Sequence, residues 1–291
     1  MNFEHLLQIK MKTKLIPLWA GNFKADGGAM FGVIPKVLWS KQMPCDNDNF
    51  VEMTIRCLLV DQDDRKILIE TGTGDHYPER FRQNQGLTGG QPLLQSLATA
   101  GYAPGDITDV LFTHLHWDHV NGAIQSKGKN LELTFPDATH WCSRRQWEHT
   151  HVSNQREKVT YFLDFFRFLN ESGKLKLVDN DGELFPGFTV RFFAGHTPGQ
   201  MIPFIEHNGK TVIFTADLVP TAAHIPVLWI AAYDLYPVTA MEEKERFMKE
   251  AAEMGYILFF EHDNYTECAT VHWNGKRASV KEKFTLEAIA T

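Results

Sequence analysis

The sequence has few cysteines, no long apolar run and no excess of positive charge. Its 291 residues include four cysteines, none in a Cys-x-x-Cys pair, so we expect neither a disulfide framework nor a cysteine-based metal site. The formal net charge of -7 gives no basic surface for nucleic acid or an anionic membrane. No uninterrupted apolar run approaches the roughly 18–20 residues that span a bilayer. We therefore expect no nucleic-acid partner and no membrane association.

The N-terminal residues 1–14 lack the basic region, apolar region and small-residue cleavage site of a secretory signal, so a cytoplasmic location is expected. Hydrophobic residues make up 43% of the chain and charged residues 22%, which is ordinary for a globular protein. No low-complexity linker and no short-period repeat divides the sequence. We predict a single domain over residues 1–291.

Four metal-capable side chains stand close together at positions 114–119, where the sequence reads His-Leu-His-Trp-Asp-His. They directly follow the apolar run 110–113, so the stretch is interpreted as a strand end that turns into a helix. Imidazole and carboxylate groups suit zinc and similar divalent ions. Because His and Asp are rarely buried unpaired, this cluster indicates a cation site.

Three more candidate ligands each follow a strand-like apolar run: His196, Asp217 and His262. The chain has two blocks of strand-like sequence, each followed by a helical stretch, which fits a two-layer sheet core with outer helices. Side chains at strand ends of a shared core are a common way to build a site, because the strands fix the positions of the loops. The four pieces are therefore expected to meet at one end of the core.

In this order the motifs resemble those of the metallo-β-lactamase fold superfamily, whose series is H-x-H-x-D-H, then His, Asp and His. The match covers roughly Thr54 to Asp263. The resemblance implies an α/β (α+β) four-layer αββα sandwich with metal ions at one edge of the two sheets. It also implies an enzyme, a zinc-dependent hydrolase.

The resemblance further implies two groups of metal ligands and a bridge, carried over residue by residue. The first metal would be held by His114, His116 and His196; the second by Asp118, His119 and His262; and both by Asp217. Seven protein ligands suit two ions, each with an open position. Zinc is expected, although the same ligands accept manganese, cobalt or iron. A hydroxide that bridges the ions would attack a carbonyl or phosphoryl centre.

Several branches of the superfamily fit poorly. The namesake β-lactamases usually carry Cys or another residue at the position of Asp217, and flavodiiron members carry Glu at that of His116. Nuclease members need a basic surface and an extra domain. Glyoxalase II-like thioesterases share the ligand set but usually have a basic C-terminal helical region, which is not evident here.

Residues 26–39, 220–226 and 232–237 resemble the branch of quorum-quenching N-acyl homoserine lactonases and methyl parathion hydrolase-like enzymes. The expected function is thus a lactonase acting on a small-molecule lactone or ester. A phosphotriesterase, arylesterase or thioesterase of the same fold remains an alternative, as does an iron-dependent redox member.

Two residues depart from the pattern of this branch. Gln200 replaces the last His of His-Thr-Pro-Gly-His, and Pro220 stands where some lactonases place a substrate-binding Tyr. If another side chain assists catalysis, Tyr233 and His224 are the candidates. Asp118 is a candidate proton shuttle in addition to its role as a ligand.

Large apolar side chains are candidates for a lipophilic substrate pocket or, alternatively, for the core: Met30, Phe31, Trp39, Trp229 and the aromatic helix near Phe165. The aromatic stretch from Tyr161 to Phe168 also makes a homodimer a possible arrangement.

Overall fold

Long apolar strands form two mixed β-sheets in the computed structural model, which describes residues 13–128 and 130–289. The strands are β1 (Thr13–Asp26), β2 (Phe50–Gln62), β3 (Arg65–Ile69), β4 (Asp109–Leu111), β5 (Ile124–Lys127), β6 (Asn130–Leu133), β7 (Thr139–Ser143), β8 (Leu175–Val178), β9 (Gly182–Phe185), β10 (Phe188–Phe193), β11 (Gln200–His207), β12 (Lys210–Phe214), β13 (Ile257–Phe259), β14 (Cys268–Trp273) and β15 (Ala278–Phe284). The helices are α1 (Gly27–Phe31), α2 (Lys36–Trp39), α3 (Glu79–Gln85), α4 (Pro92–Thr99), α5 (Trp117–Val120), α6 (Arg144–Val152), α7 (Leu163–Glu171) and α8 (Pro237–Met254).

The first sheet has the order β1-β2-β3-β4-β7-β8, the second the order β15-β14-β13-β12-β11-β10-β9, and β5 pairs with β6. In the first sheet β3, β4, β7 and β8 are parallel neighbours. In the second sheet β12 and β13 are parallel. Carboxyl ends of parallel strands share one edge of a sheet, so the residues that follow β12 and β13 leave the second sheet at the same edge.

Strand β2 is buried on both faces, which explains its nearly continuous apolar sequence. Leu58 and Val60 belong to a core that includes Phe188 of the second sheet, whereas Cys57 and Leu59 belong to a core with Leu97 of α4. Full burial of a side chain such as Leu58 stabilises the fold by about 1.5–3 kcal/mol. The second sheet packs in turn against α8 through Phe204 and Phe247. The expected sandwich of two sheets with outer helices is confirmed.

The helical part of the chain between β7 and β8 is interrupted. Helix α6 ends at Val152 and α7 begins at Leu163. Between them the side-chain oxygen of Asn154 accepts hydrogen bonds from the backbone N–H groups of Arg156 and Glu157. Such a side chain competes with the helical hydrogen-bond pattern and so favours a turn. The resulting segment, whose only helical part is a short 3-10 turn at Lys158–Thr160, lies beside the candidate site described below.

No helix within residues 13–128 and 130–289 is both long and apolar enough to cross a membrane. Residues 1–12, on which most of the expectation about a secretory signal rests, lie outside the described residues, as do residues 129, 290 and 291. The prediction of a single domain over residues 1–291 stays a prediction.

Replacing Gly122 by alanine should destabilise the fold. Gly122 lies directly after the turn that carries the His cluster, and its N–H donates to the carbonyl oxygen of Gly72 over 2.9 Å. A Cβ atom at this position would overlap the carbonyl oxygen of Thr71. We expect the free energy of unfolding of Gly122→Ala, measured in urea, to fall by about 1–3 kcal/mol because overpacking forces the backbone apart.

The matched control is Gly105→Ala, whose new Cβ would lie at an ordinary distance of 3.6 Å from the Asp137 Oδ2 atom. Equal urea midpoints for the two variants would show that the close approach at Gly122 does not exist.

Candidate metal centre

The predicted ligands all lie at the ends of strands. The stretch 114–119 follows β4 and enters α5, and His196 follows β10. Asp217 lies in a short 3-10 turn after β12, and His262 follows β13. Two groups of metal-capable atoms contain these ligands, each with its atoms within 4.8 Å of one another: His114, His116, His196 and Asp217 in the first, and Asp118, His119 and His262 in the second. A third group, Glu70, His114 and His119, shares one imidazole with each of them. The structure therefore brings together all seven side chains that the sequence singled out.

Three imidazoles of the first group point ring nitrogens at one another. The His116 Nδ1 atom lies 3.0 Å from His114 Nε2 and 3.1 Å from His196 Nε2. The Asp217 Oδ2 atom lies 3.1 Å from His196 Nε2 and 3.7 Å from His114 Nε2. Four donor atoms thus surround one small volume.

Asp217 also reaches the second group. Its Oδ1 atom lies 3.2 Å from His262 Nε2, while Asp118 Oδ2 lies 3.8 Å from the same nitrogen. The His119 Nε2 atom is 3.3 Å from His262 Nε2 and 3.6 Å from Asp217 Oδ2. The two carboxylate oxygens of Asp217 therefore face different groups, which is the geometry of a bridge.

Several ring nitrogens that point away from the two groups face oxygen acceptors. The pairs are His196 Nδ1 with Asp234 Oδ1 at 2.9 Å, His262 Nδ1 with the Thr54 carbonyl oxygen at 2.9 Å, and His116 Nε2 with Glu157 Oε1 at 3.4 Å. Carboxylate and carbonyl oxygens only accept, so each of these nitrogens carries the hydrogen. In the neutral ring, the form that binds a metal ion, the inner nitrogen then presents a lone pair to the site.

This arrangement of lone pairs fits divalent cations. The nitrogens His116 Nδ1 and His196 Nε2 lie only 3.1 Å apart, so they repel one another when both are unprotonated unless a positive charge, a proton or a metal ion, lies between them. A mixed set of imidazole and carboxylate donors suits zinc and other first-row metals, and outer acceptors orient ligand imidazoles in such sites.

The electrostatics of the site also favour bound positive charge. Burial lowers the pKa of His114 far below its ordinary value. For His196 and His262 burial acts in the same direction, but the Asp217 carboxylate outweighs it and raises the pKa to about 10 and about 9. The pKa of Asp217 is in turn held low by His196 and His262, against the effect of burial. Protons and metal ions therefore compete for the same ring nitrogens beside the Asp217 carboxylate, and metal affinity should depend on pH.

A cavity of about 500 Å³ opens on both groups of ligands. Part of its lining is made of the metal-capable residues His116, Asp118, His196, Asp217 and His262. A second part is apolar and includes Phe23, Phe50, Phe81, Trp117 and Val159. Such a combination of convergent polar groups and an aromatic wall is typical of small-molecule sites.

Two of the three candidate catalytic residues line this cavity. Asp118 lies within it beside His262, and Tyr233 is 50% exposed along its wall. Partial burial, together with the charges of Asp26 and Asp118, raises the pKa of the Tyr233 phenol, so it remains protonated at neutral pH.

His224 has a different position. Its ring is buried and stacks on Phe31, with 4.7 Å between ring centroids. Its Nε2 atom lies 2.9 Å from the Met30 carbonyl oxygen, and its Nδ1 atom lies 2.7 Å from the Thr221 hydroxyl. Burial lowers the pKa of His224 to about 3. The structure does not place His224 in the cavity lining, and both ring nitrogens hold the fold together instead.

Most of the candidate residues for a lipophilic pocket lie outside the cavity lining. Met30 lines the cavity, but Phe31 stacks on Trp39 at 5.2 Å and meets Trp229 edge to face at 5.8 Å. Phe165 packs against His76. Of the two alternatives that the sequence left open, the core therefore describes these four aromatic residues, because they pack against other side chains. Phe23, Phe50 and Phe81 line the cavity instead.

Sequence reasoning also missed the carboxylates around the imidazoles. Glu261 Oε2 lies 3.1 Å from His119 Nδ1, and its position next to His262 was an available signal. Asp234 lies in the recognised segment 232–237, where the neighbouring backbone N–H of Leu235 donates to the carbonyl oxygen of His196. Glu157 stands in a stretch without any such signal.

Comparison with known proteins agrees with the site. The sequence profile of the metallo-beta-lactamase superfamily matches residues 52–260, and the chain belongs to this superfamily of metallo-hydrolases. Among curated proteins, the chain is 25% identical over 231 residues to an N-acyl homoserine lactonase of Bacillus thuringiensis, covering 73% of this chain and 82% of that lactonase.

Solved structures share the whole architecture. A probable metal-dependent hydrolase from Staphylococcus aureus is 31% identical, with a TM-score of 0.85 over 94% of this chain and 96% of that chain. The dizinc quorum-quenching lactonase AidC, at 23% identity, gives a TM-score of 0.77 over 95% of this chain and 97% of its own, which shows the common fold. The resemblance inferred from the motifs is confirmed.

Proposed function

We propose that this protein is a dinuclear metal-dependent lactonase that acts on acyl homoserine lactone-type substrates. The observation that carries the proposal is the position of Asp217, whose two oxygens face two separate ligand groups beside an aromatic-walled cavity of about 500 Å³. The similarity to curated N-acyl homoserine lactonases at about 25% identity supports this choice of substrate class.

The proposed ligands are those with converging lone pairs. His114, His116 and His196 would hold one ion, Asp118, His119 and His262 would hold the other, and Asp217 would contact both. We propose zinc in both positions. When bound, the two ions supply Lewis acidity and a hydroxide nucleophile at neutral pH.

The cavity residues then orient the lactone and transfer the proton that its leaving group needs. Addition of hydroxide to the carbonyl carbon cleaves the ring C–O bond, and the alkoxide leaving group takes a proton, which gives a hydroxy acid. Asp118 lines the cavity and is placed to hold that proton, while the protonated phenol of Tyr233 can donate a hydrogen bond to a substrate oxygen. Phe23, Phe50 and Phe81 offer an apolar surface to an acyl chain.

A substrate panel tests this proposal. We expect kcat/KM of the zinc-loaded protein for hexanoyl and decanoyl homoserine lactone to exceed that for a phosphotriester, an aryl ester and a thioester. The expected margin is about 100-fold, or roughly 2.7 kcal/mol of transition-state free energy. Metal analysis of protein purified without added metal should give two zinc ions per chain.

The alternatives predict other results. A larger kcat/KM for the phosphotriester or the thioester than for the lactones would contradict the lactonase proposal and favour that activity instead. Stoichiometric iron with oxygen uptake would instead identify an iron-dependent redox protein.

A homodimer and a cytoplasmic location stay predictions from the sequence. The aromatic stretch that suggested the homodimer packs largely on its own chain, because Tyr161 and Phe166 are buried in the core that also contains Leu97. Leu163 at the start of α7 is exposed.

A further inference from the structure

The segment between α6 and α7 forms one side of the cavity although it holds no proposed metal ligand. Residues 156–160 contribute Arg156, Glu157, Val159 and Thr160 to the lining. Most of this segment is exposed, but Glu157 is only 5% exposed. A buried carboxylate is costly unless donors surround it, so its partners indicate its role.

Four donors from separate parts of the chain converge on the Glu157 carboxylate. Its Oε1 atom accepts from the Tyr161 hydroxyl at 2.6 Å and from the Thr197 hydroxyl, and lies 3.4 Å from His116 Nε2. Its Oε2 atom lies 2.5 Å from His149 Nε2 on α6. One of these partners, His116, is a proposed metal ligand, and another, Thr197, directly follows the proposed ligand His196.

The His116 ring has a special orientation. His114, His196 and His262 turn Nε2 towards the metal-capable groups, whereas His116 turns Nδ1 inwards and Nε2 towards Glu157. A hydrogen on Nε2, held by the carboxylate, leaves the lone pair on Nδ1, where a cation would need it.

From these contacts we propose that Glu157 is a positioning residue that couples metal binding to the cavity wall. Its carboxylate holds His116 with Nδ1 towards the first ion, and a metal-fixed His116 in turn holds residues 153–162 in place. The coupling is reciprocal: whatever free energy the ordered wall adds to metal binding, bound metal adds to the order of the wall. The inference rests on the proposed metal centre and not on the identity of the organic substrate.

This coupling predicts that metal binding precedes the ordering of the substrate site. Arg156 and Val159 border the cavity only when the segment is in place. The metal-free protein should thus have a loosened wall, and zinc should build the substrate site as well as the reactive centre.

Hydrogen exchange on the wild-type protein is the first test. Adding zinc to metal-free protein should slow amide exchange in residues 153–162 by at least about tenfold. This is the change expected if bound zinc raises the free energy of local opening by about 1.4 kcal/mol. Unchanged exchange in this segment on zinc binding would overturn the proposal without any variant.

Glu157→Gln is the second test, because the amide keeps the size of the side chain and loses one acceptor oxygen. Competition with a chelator should show one of the two zinc ions bound about 10–100-fold more weakly. The variant at saturating zinc should also lose most of the zinc-dependent protection of residues 153–162. Wild-type zinc affinity, or full protection, would refute the role of Glu157.

Two controls separate coupling from a general defect. Glu148→Gln, on the exposed side of α6, should leave zinc affinity and protection unchanged. Asp234→Asn removes the acceptor of His196, so it should weaken zinc binding but keep the protection of residues 153–162 once zinc is saturating. Loss of protection in both Asp234→Asn and Glu157→Gln would contradict a specific path through Glu157.

A failure of the lactonase proposal can be distinguished from a failure of the proposed role of Glu157. If the protein binds two zinc ions and shows the expected exchange pattern but prefers a phosphotriester, the lactonase proposal is contradicted and the role of Glu157 still holds. If Glu157→Gln does not fold, as judged by circular dichroism, the wild-type exchange experiment and Tyr161→Phe still decide. Tyr161→Phe removes one donor to Glu157 and should reduce the protection of the segment, with zinc affinity within about threefold of wild type, since the His116 contact remains.

Discussion

His116→Ala should lower kcat/KM for the best lactone by about 1,000-fold or more, a loss of at least roughly 4 kcal/mol of transition-state stabilisation. The His116 Nδ1 atom lies within 3.1 Å of the inner nitrogens of both His114 and His196, so it is central to the first group. Alanine removes the donor and leaves the buried Glu157 carboxylate without one of its partners. Both effects act on the same ion.

The measurement needs zinc-replete protein, with metal content determined on the sample that is assayed. His272→Ala, at an exposed position of β14, is the matched control and should retain wild-type turnover and two zinc ions. Near-normal turnover of metal-replete His116→Ala would contradict the assignment of the centre.

The ligands could be predicted from sequence because each follows its strand directly. A residue just after β12 or β13 must lie at the edge of the sheet where that strand ends, whatever the rest of the chain does. Local order along the chain therefore fixed the positions of Asp217 and His262, and the motif at 114–119 added its four side chains as one unit.

The supporting carboxylates could not be predicted in this way. Glu157 is 41 residues from His116 in sequence, and Asp234 is 38 residues from His196. Their contacts depend on the paths of two long loops, which neither hydrophobic periodicity nor motif spacing determines. The break at Asn154 is a further example, since one side-chain oxygen redirects a segment that is otherwise helical in pattern.

The aromatic residues illustrate another limit. Phe31 and Trp39 stack in the core, whereas Phe23 and Phe81 face the cavity. The hydrophobic effect is not directional, so the same side chain satisfies it in a core or in a substrate pocket. Only the three-dimensional arrangement separates the two, so the sequence left pocket and core as alternatives for several of these residues.

Asp217→Asn should reduce the zinc content from two ions to one or fewer and lower kcat/KM by about four orders of magnitude, or roughly 5.5 kcal/mol. The reason is the two-sided contact of this carboxylate: Oδ2 lies 3.1 Å from His196 Nε2, and Oδ1 lies 3.2 Å from His262 Nε2. An asparagine has one carbonyl oxygen and one NH2 group, which donates hydrogens and cannot bind a cation. Whichever way the amide turns, one of the two groups loses its oxygen ligand.

Comparison with Asp118→Asn separates a bridge from an ordinary ligand. Among the described residues, the histidines that Asp118 approaches are His119 and His262, at 3.7 Å and 3.8 Å, so its loss should weaken one ion and leave the other at wild-type affinity. Zinc titration with a competing chelator should then show one weakened site in Asp118→Asn but two in Asp217→Asn, because the substitution also removes a negative charge shared by both groups. Asp164→Asn, at an exposed position of α7, controls for the general effect of an Asp-to-Asn change. If Asp217→Asn weakened a single ion to the same degree as Asp118→Asn, Asp217 would belong to one metal only, and the site would lack the shared carboxylate on which the two-metal proposal depends.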